Sequence, residues 1–269
     1  MSIIPSGTET NAAYHASGAW GSTRVSDFIT SPLIAWLRHS GRLASEHSPA
    51  LTLGSALHAR FDGSYDQLFA AGPAVSSRRT KAWTEAAAAT RKTLLLPSEL
   101  AQIDAMQAAI ATNPYAQCLL DDAGHEVGIR RPSPYGAYAV QCRLDIWRPG
   151  SLAADIKTTG DLDGWAHSVT RYGYHRQAAF YRWLVHQETG DWTDFSFVVV
   201  EKTAPYRCRV IDLDQTYLRW GWQEVEQALL GIAACYQSGD WSDPGYQHLT
   251  APGWMMAALA APYEEPAHV

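Results

Sequence analysis

Residues 141–159, QCRLDIWRPGSLAADIKTT, decide how this chain folds and what chemistry it can carry. Pro149-Gly150 is a turn pair lying between two apolar segments, which makes those segments adjacent strands. Asp145 ends the first strand. Asp155 and Lys157 stand two apart on the second, so both point to one sheet face. Adjacency then brings Asp145 beside Asp155. Two carboxylates so placed repel unless neutralised, most naturally by a hard divalent cation that takes oxygen ligands. Lys157 would lie next to that cation, placed to orient a water or to stabilise charge on a phosphate oxygen. A lone Asp-x-Lys is usually a strand end with a surface lysine. Here it follows the apolar run Leu152-Ala153-Ala154, where a charge is costly unless it has a partner.

Working outward, residues 126–131, 137–147 and 151–157 read as successive strands separated by Pro/Gly turns. Before them, roughly the first 115 residues read as helical. Ser31-Pro32 starts one helix, with Leu33, Ile34 and Leu37 as its apolar set and Gly41 as its stop. A second runs from about 53 to 62 and ends at Gly63. A third carries Leu100, Ile103, Met106 and Ile110 and stops at Asn113-Pro114. After the strands, 165–188 reads as one long helix. Residues 195–201 and 206–211 return to strand around an Ala204-Pro205 turn. Leu218, Trp222, Val225, Leu229 and Ile232 form an amphipathic stripe ending near Gly239. The tail from Trp241 is Pro-rich and gives no clear element. Residues 70–77 are the nearest thing to a linker. The expectation is one α/β domain over 1–269 with a central mixed β-sheet flanked by α-helices. Its helical part spans 14–115, its catalytic core 120–212, and its final helix and tail 213–269.

Composition is that of an ordinary globular chain of 269 residues, 46% hydrophobic and 18% charged. No window approaches a membrane span, and the polar first eleven residues do not form a signal peptide, so a cytoplasmic location is expected. Four scattered cysteines without a CxxC pair give no zinc or iron–sulfur site and are expected to be buried small hydrophobes. No Gly-rich phosphate loop with Lys-Ser/Thr encodes an ATP-driven motor. The net charge of −6 argues against indiscriminate coating of nucleic acid. Arg130, Arg131, Arg143 and Arg148 nevertheless surround the acidic cluster, and Arg171, His175, Arg176 and Arg182 follow it. Of the 11 tryptophans most should be core, with Trp20 and Trp254 the exposed candidates for stacking on bases.

An ordered set of motifs resembles the PD-(D/E)XK nucleases, and within them the RecE-type exonucleases (exodeoxyribonuclease VIII), relatives of lambda exonuclease and the RecB nuclease domain. LGSALHA, with His58, is similar to the family's early Gly-x-x-x-His helix. HEV supplies Glu126, RLD supplies Asp145, DIKTT supplies Asp155 and Lys157, and YHRQAAFYRW supplies the pair Gln177 and Tyr181. Residues 14–32 are similar to the family's opening segment, so the likeness runs from 14 to about 185.

The resemblance implies a restriction-endonuclease-like core with Glu126, Asp145, Asp155, Lys157, Gln177 and Tyr181 in the catalytic site. Asp145 and Asp155 would ligate Mg2+, with Mn2+ substituting. His58, Glu126 and the backbone carbonyl of Ile156 would complete the metal site. Arg143, Arg171, Arg176, Gln177 and Tyr181 would hold DNA; the last two lie four apart on one helix face. The implied activity is 5′→3′ digestion of linear double-stranded DNA ends, leaving 3′ tails for recombination. It would be carried out by a homo-oligomeric ring of three or four chains, with a single-strand annealing protein as partner. Two other readings stay open. One is the nuclease module of a helicase–nuclease; a CRISPR-adaptation nuclease would normally bring clustered cysteines. The other is a DNA-end-binding scaffold whose catalytic site has decayed.

Overall fold

Local sequence signals account for most element ends in the computed structural model, which describes residues 2–44, 49–246 and 248–250. The first part of the chain holds β1 (Ile3–Ile4), α1 (Asn11–Ala16), α2 (Ser22–Thr30), α3 (Pro32–His39) and α4 (Pro49–Asp62). Next come α5 (Tyr65–Leu68), β2 (Phe69–Ala71), α6 (Lys81–Ala88), β3 (Thr93–Leu95), α7 (Pro97–Ala111) and α8 (Pro114–Leu120). The second part holds β4 (Gly124–Pro132), β5 (Ala139–Arg148), β6 (Leu152–Thr159), α9 (Trp165–Arg171) and α10 (Tyr174–Thr189). It closes with β7 (Asp194–Glu201), β8 (Cys208–Asp212) and α11 (Gln215–Ser238). Ser31 caps α3 by accepting from the Ile34 N–H at 3.0 Å, and Pro32 occupies the first helical turn, where its missing N–H costs nothing. Gly190 and Gly239 end α10 and α11 in the left-handed conformation that favours glycine.

The main sheet has six strands in the order β1-β4-β5-β6-β7-β8. It is mixed: β6 and β7 run parallel and the other pairs antiparallel. β7, reading DFSFVVVE, is buried on both faces, which explains its continuous apolar run. Phe195, Phe197 and Val199 join one core with α2, α10 and α11; Val198 and Val200 join a second with α4 and α7. The sheet is thus sandwiched between two helical layers. Gly54 lies one turn before His58 on the same face of α4 and looks onto Thr158 Oγ1, setting this helix against β6. Among the described residues no helix is long and apolar enough to cross a membrane.

Several expectations need correction. The amino-terminal part is not wholly helical: β1 pairs with β4, and β2 pairs with β3 in a small parallel sheet. Within 70–77, the nearest candidate for a linker in an undivided chain, Ala70 and Ala71 belong to β2. The expected long helix over 165–188 is two helices. Gly173, at φ 72°, breaks it and starts α10. Trp20 is fully buried, stacked on His39 with ring centres 4.3 Å apart and donating to the Tyr236 hydroxyl at 3.2 Å, so it offers no stacking surface. Trp254 lies outside the described residues. Only Cys142 is buried; Cys118 is exposed, and Cys208 and Cys235 are partly so.

Candidate active site

The site forms where β5 parts from β6. The two strands pair only at Ile146–Ala154, Trp147–Ala153 and Arg148–Leu152, whereas β6 and β7 pair along eight residues. At the point of parting the Asp145 carboxylate accepts the Ile156 N–H at 2.8 Å, taking the place a strand partner would have held. In an extended strand the N–H and C=O of one residue face the same edge. The Ile156 carbonyl therefore faces the same gap.

β5 also rolls at this point. Val140, Cys142 and Leu144 belong to the α10 layer, while Ile146 belongs to the opposite core. Across from it, the ladder with β4 skips one step, Glu126 against Asp145, between His125–Ile146 and Val127–Leu144. Glu126 has φ 51°, a left-handed conformation that costs a non-glycine residue on the order of 1–3 kcal/mol. This kink turns the Glu126 carboxylate onto the side of Asp145. His58 arrives from α4, its Nδ1 3.1 Å from the Asp145 carboxylate. His58, Glu126 and Asp145 each offer one ligand atom, all within 4.8 Å of one another.

Asp155 stands beside this trio and uses both its oxygens. One accepts from Lys157 Nζ, the other from Gln177 Nε2 at 2.5 Å. Lys157 also lies over the Tyr174 ring at 5.3 Å. Asp155 and Lys157 thus share one sheet face, and Gln177 reaches it from α10. Tyr181, one turn further on, is buried with its ring edge-on to Phe195.

The electrostatics follow from five ionisable groups in a small space. Burial, and then the Asp145 charge, push the Glu126 carboxyl up to about 7. Burial and Asp145 likewise raise Asp155. Burial would raise Asp145 too, but His58, Lys157 and the Ile156 N–H together outweigh it and hold Asp145 low. His58 is pushed up to about 9: burial opposes the charged ring, and the adjoining carboxylates prevail. The carboxylates of Glu126, Asp145 and Asp155 are therefore held in partial check by a protonated His58 imidazole and the Lys157 ammonium. A divalent cation fits among these carboxylates, and it would take His58 as a ligand by displacing the imidazole proton.

The cations expected to grip DNA divide. Arg143 lies 3.6 Å from Glu126 and 3.7 Å from Glu9, over the Tyr14 ring. Arg176 binds Glu224 through Nε at 2.9 Å and Nη2 at 3.1 Å. Arg171 has no ion pair among the described residues and stands over the Tyr172 ring at 5.5 Å. Arg130 and Arg131 are engaged by Glu9 and Glu188. Reading the sequence missed Glu9 and Glu224 because each carboxylate is remote in the chain from the arginine it holds. It also missed the amino-terminal segment around Thr10, which lines the same cleft. That cleft has a volume of about 1470 Å³.

The family model described as "PDDEXK-like domain of unknown function (DUF3799)" matches residues 21–247. A search of curated proteins finds no match. Among solved structures, the chain superposes on a protein titled "Putative exonuclease" from Eubacterium rectale with a TM-score of 0.67 and 20% identity, covering 94% of this chain and 98% of that one. At that identity the likeness establishes the fold. A second structure, SSO0001, aligns over 83% of this chain and 87% of its own at 14% identity and a TM-score of 0.28, too low to support any argument. Residues 21–247, which hold the parted β5 and β6, match that family model, and the chain belongs to the PDDEXK-like family as a nuclease of the PD-(D/E)XK superfamily.

Proposed function

We propose that the protein is a Mg2+-dependent exonuclease that digests linear double-stranded DNA in the 5′→3′ direction, leaving 3′ tails for recombination. The observation carrying this reading is the convergence of His58, Glu126 and Asp145 on one ligand-sized space beside the Asp155–Lys157 pair. When bound there, a divalent cation supplies a water of lowered pKa and positive charge against the phosphate oxygens. Asp145, His58, Glu126 and the Ile156 carbonyl would hold it, with Asp155 joining once Lys157 turns to the substrate. Lys157 then orients the water or faces the phosphate oxygen that gains charge. Gln177 keeps Asp155 in register by its hydrogen bond. Tyr181 backs that helix face, and Arg171 gives the cleft an unengaged guanidinium for a backbone phosphate.

The exonuclease reading, together with a ring of three or four chains and an annealing partner, draws on likeness to the RecE-type enzymes. A closed ring would hold DNA between cuts. The test is digestion of end-labelled linear duplex beside closed circular DNA in Mg2+. Expected are early release of the 5′ label, retention of the 3′ label, and survival of the circle. Cutting of the circle would make the protein an endonuclease instead. A monomer in light scattering, with distributive cutting, would remove the ring and leave the catalytic assignment in place.

A further inference from the structure

The segment between β2 and β3 carries a charge that the rest of the molecule lacks. Five of the chain's 21 lysines and arginines, Arg78, Arg79, Lys81, Arg91 and Lys92, fall in residues 72–95 with a single carboxylate, Glu85. All five are exposed. In a chain of net charge −6 this is a local reversal of sign. The segment is also firmly seated. Trp83 of α6 is buried against Gly72, where an added Cβ would sit 2.4 Å from the indole ring, so only glycine fits beneath it. Gly72 donates to the Leu95 carbonyl at 2.9 Å. Arg78 is fixed by both oxygens of Glu99, at 2.8 and 2.7 Å. Lys92 is held by the Asp66 carbonyl.

Two arginines have no such tie. The guanidinium groups of Arg79 and Arg91 have no ion pair or hydrogen-bond partner among the described residues. Lys81 has only a loose 3.7 Å contact with exposed Glu85. Arg91 and Thr93 line the same cleft as His58, Glu126 and Lys157. Of the other arginines lining it, Arg143 and Arg176 are already bound to carboxylates. The floor itself is acidic. Arg171 gives the cleft one unengaged guanidinium, and the β2–β3 segment, which reaches the same cleft through Arg91 and Thr93, supplies further free cations for a polyanion.

We infer that this segment is a phosphate-binding platform that grips the backbone of the DNA duplex outside the catalytic centre, through Arg79, Lys81 and Arg91. The inference rests on the nuclease reading and names the surface that holds its substrate. Such contacts carry no sequence information and release counterions, so they act through salt dependence.

The test measures binding of a labelled blunt duplex to the full-length protein in Ca2+ over a range of salt concentrations. The Arg79→Ala/Lys81→Ala/Arg91→Ala variant should bind more weakly. Its slope of log K against log salt should be shallower than wild type by about 2–3, at about 0.9 for each lost phosphate contact. Arg219→Ala, an exposed cation on α11, should keep the wild-type slope. A triple variant that melts like wild type and has an unchanged slope overturns the platform, even while wild type digests DNA. A wild-type protein that neither binds nor digests duplex would instead overturn the nuclease reading beneath it.

Discussion

Replacing Glu126 by glutamine should make the metal-free protein more stable, and the gain should depend on pH. The Glu126 carboxyl, an ordinary 4.5 in the unfolded chain, rises to about 7 in the fold, first through burial and then through the Asp145 charge. Because its folded value is raised, the folded state binds the extra proton between pH 4.5 and 7. The stability linked to that proton is complete below 4.5 and lost as pH rises through 7. The full shift is worth roughly 3 kcal/mol at about 1.4 kcal/mol for each pH unit, an upper bound because solvent and neighbours relax. For a chain of this size that corresponds to a rise in Tm of up to about 6–12 °C. The assay is thermal melting of wild type and Glu126→Gln in EDTA at pH 4.5 and pH 8. The two should melt nearly together at pH 4.5, and the variant should melt several degrees higher at pH 8. Adding Mg2+ at pH 8 should stabilise wild type more than the variant, because binding acts by mass action on the state that holds the ion. A variant equal to or less stable than wild type at pH 8 would refute the reasoning: Glu126 would then not be a repelled carboxylate awaiting a cation.

Lys157→Ala should lower cleavage by roughly 10²–10³-fold, the loss typical of one transition-state donor, while the melt and DNA binding hold; unimpaired cleavage would return Lys157 to a structural role. Calcium should support duplex binding with little cleavage, since its flexible coordination positions water poorly; this is read by comparing mobility shift with nucleotide release. Gly221→Ala should destabilise the fold by on the order of 1–3 kcal/mol. Its new methyl would lie 2.3 Å from the His175 carbonyl and push α11 off α10, more than cancelling the gain in helix propensity. Denaturant unfolding of the variant checks this.

The parts of the fold that the sequence reveals are those specified locally. Apolar runs, Pro/Gly turns and a serine cap placed β4 to β8 and α3 within a few residues of their observed ends, and Asp145, Asp155 and Lys157 could be set together from their spacing alone. The kink at Glu126 was hidden, because nothing in HEV announces a left-handed residue inside a strand. Strands of three residues such as β2 and β3 are too short to show a period, so their parallel pairing stayed out of sight. The pairing of Arg143 with Glu9 and of Arg176 with Glu224 joins residues far apart in the chain. Arginines that the sequence offers as DNA contacts are, in the fold, partly spent on carboxylates. Trp20 misled for the same reason: its neighbours suggest a loop, and its burial depends on His39 and Trp241.

The central claim, that these residues cut DNA with a bound divalent cation, is tested most directly by nucleotide release from end-labelled linear duplex. Wild type and Asp145→Ala should be compared in Mg2+ and in EDTA. Asp145 joins His58, the Ile156 N–H and the space where ligand atoms converge, so its loss should abolish release without unfolding the chain. The account predicts release by wild type in Mg2+ and in none of the other three conditions. Release by wild type in EDTA, or by Asp145→Ala at the wild-type rate, would contradict it.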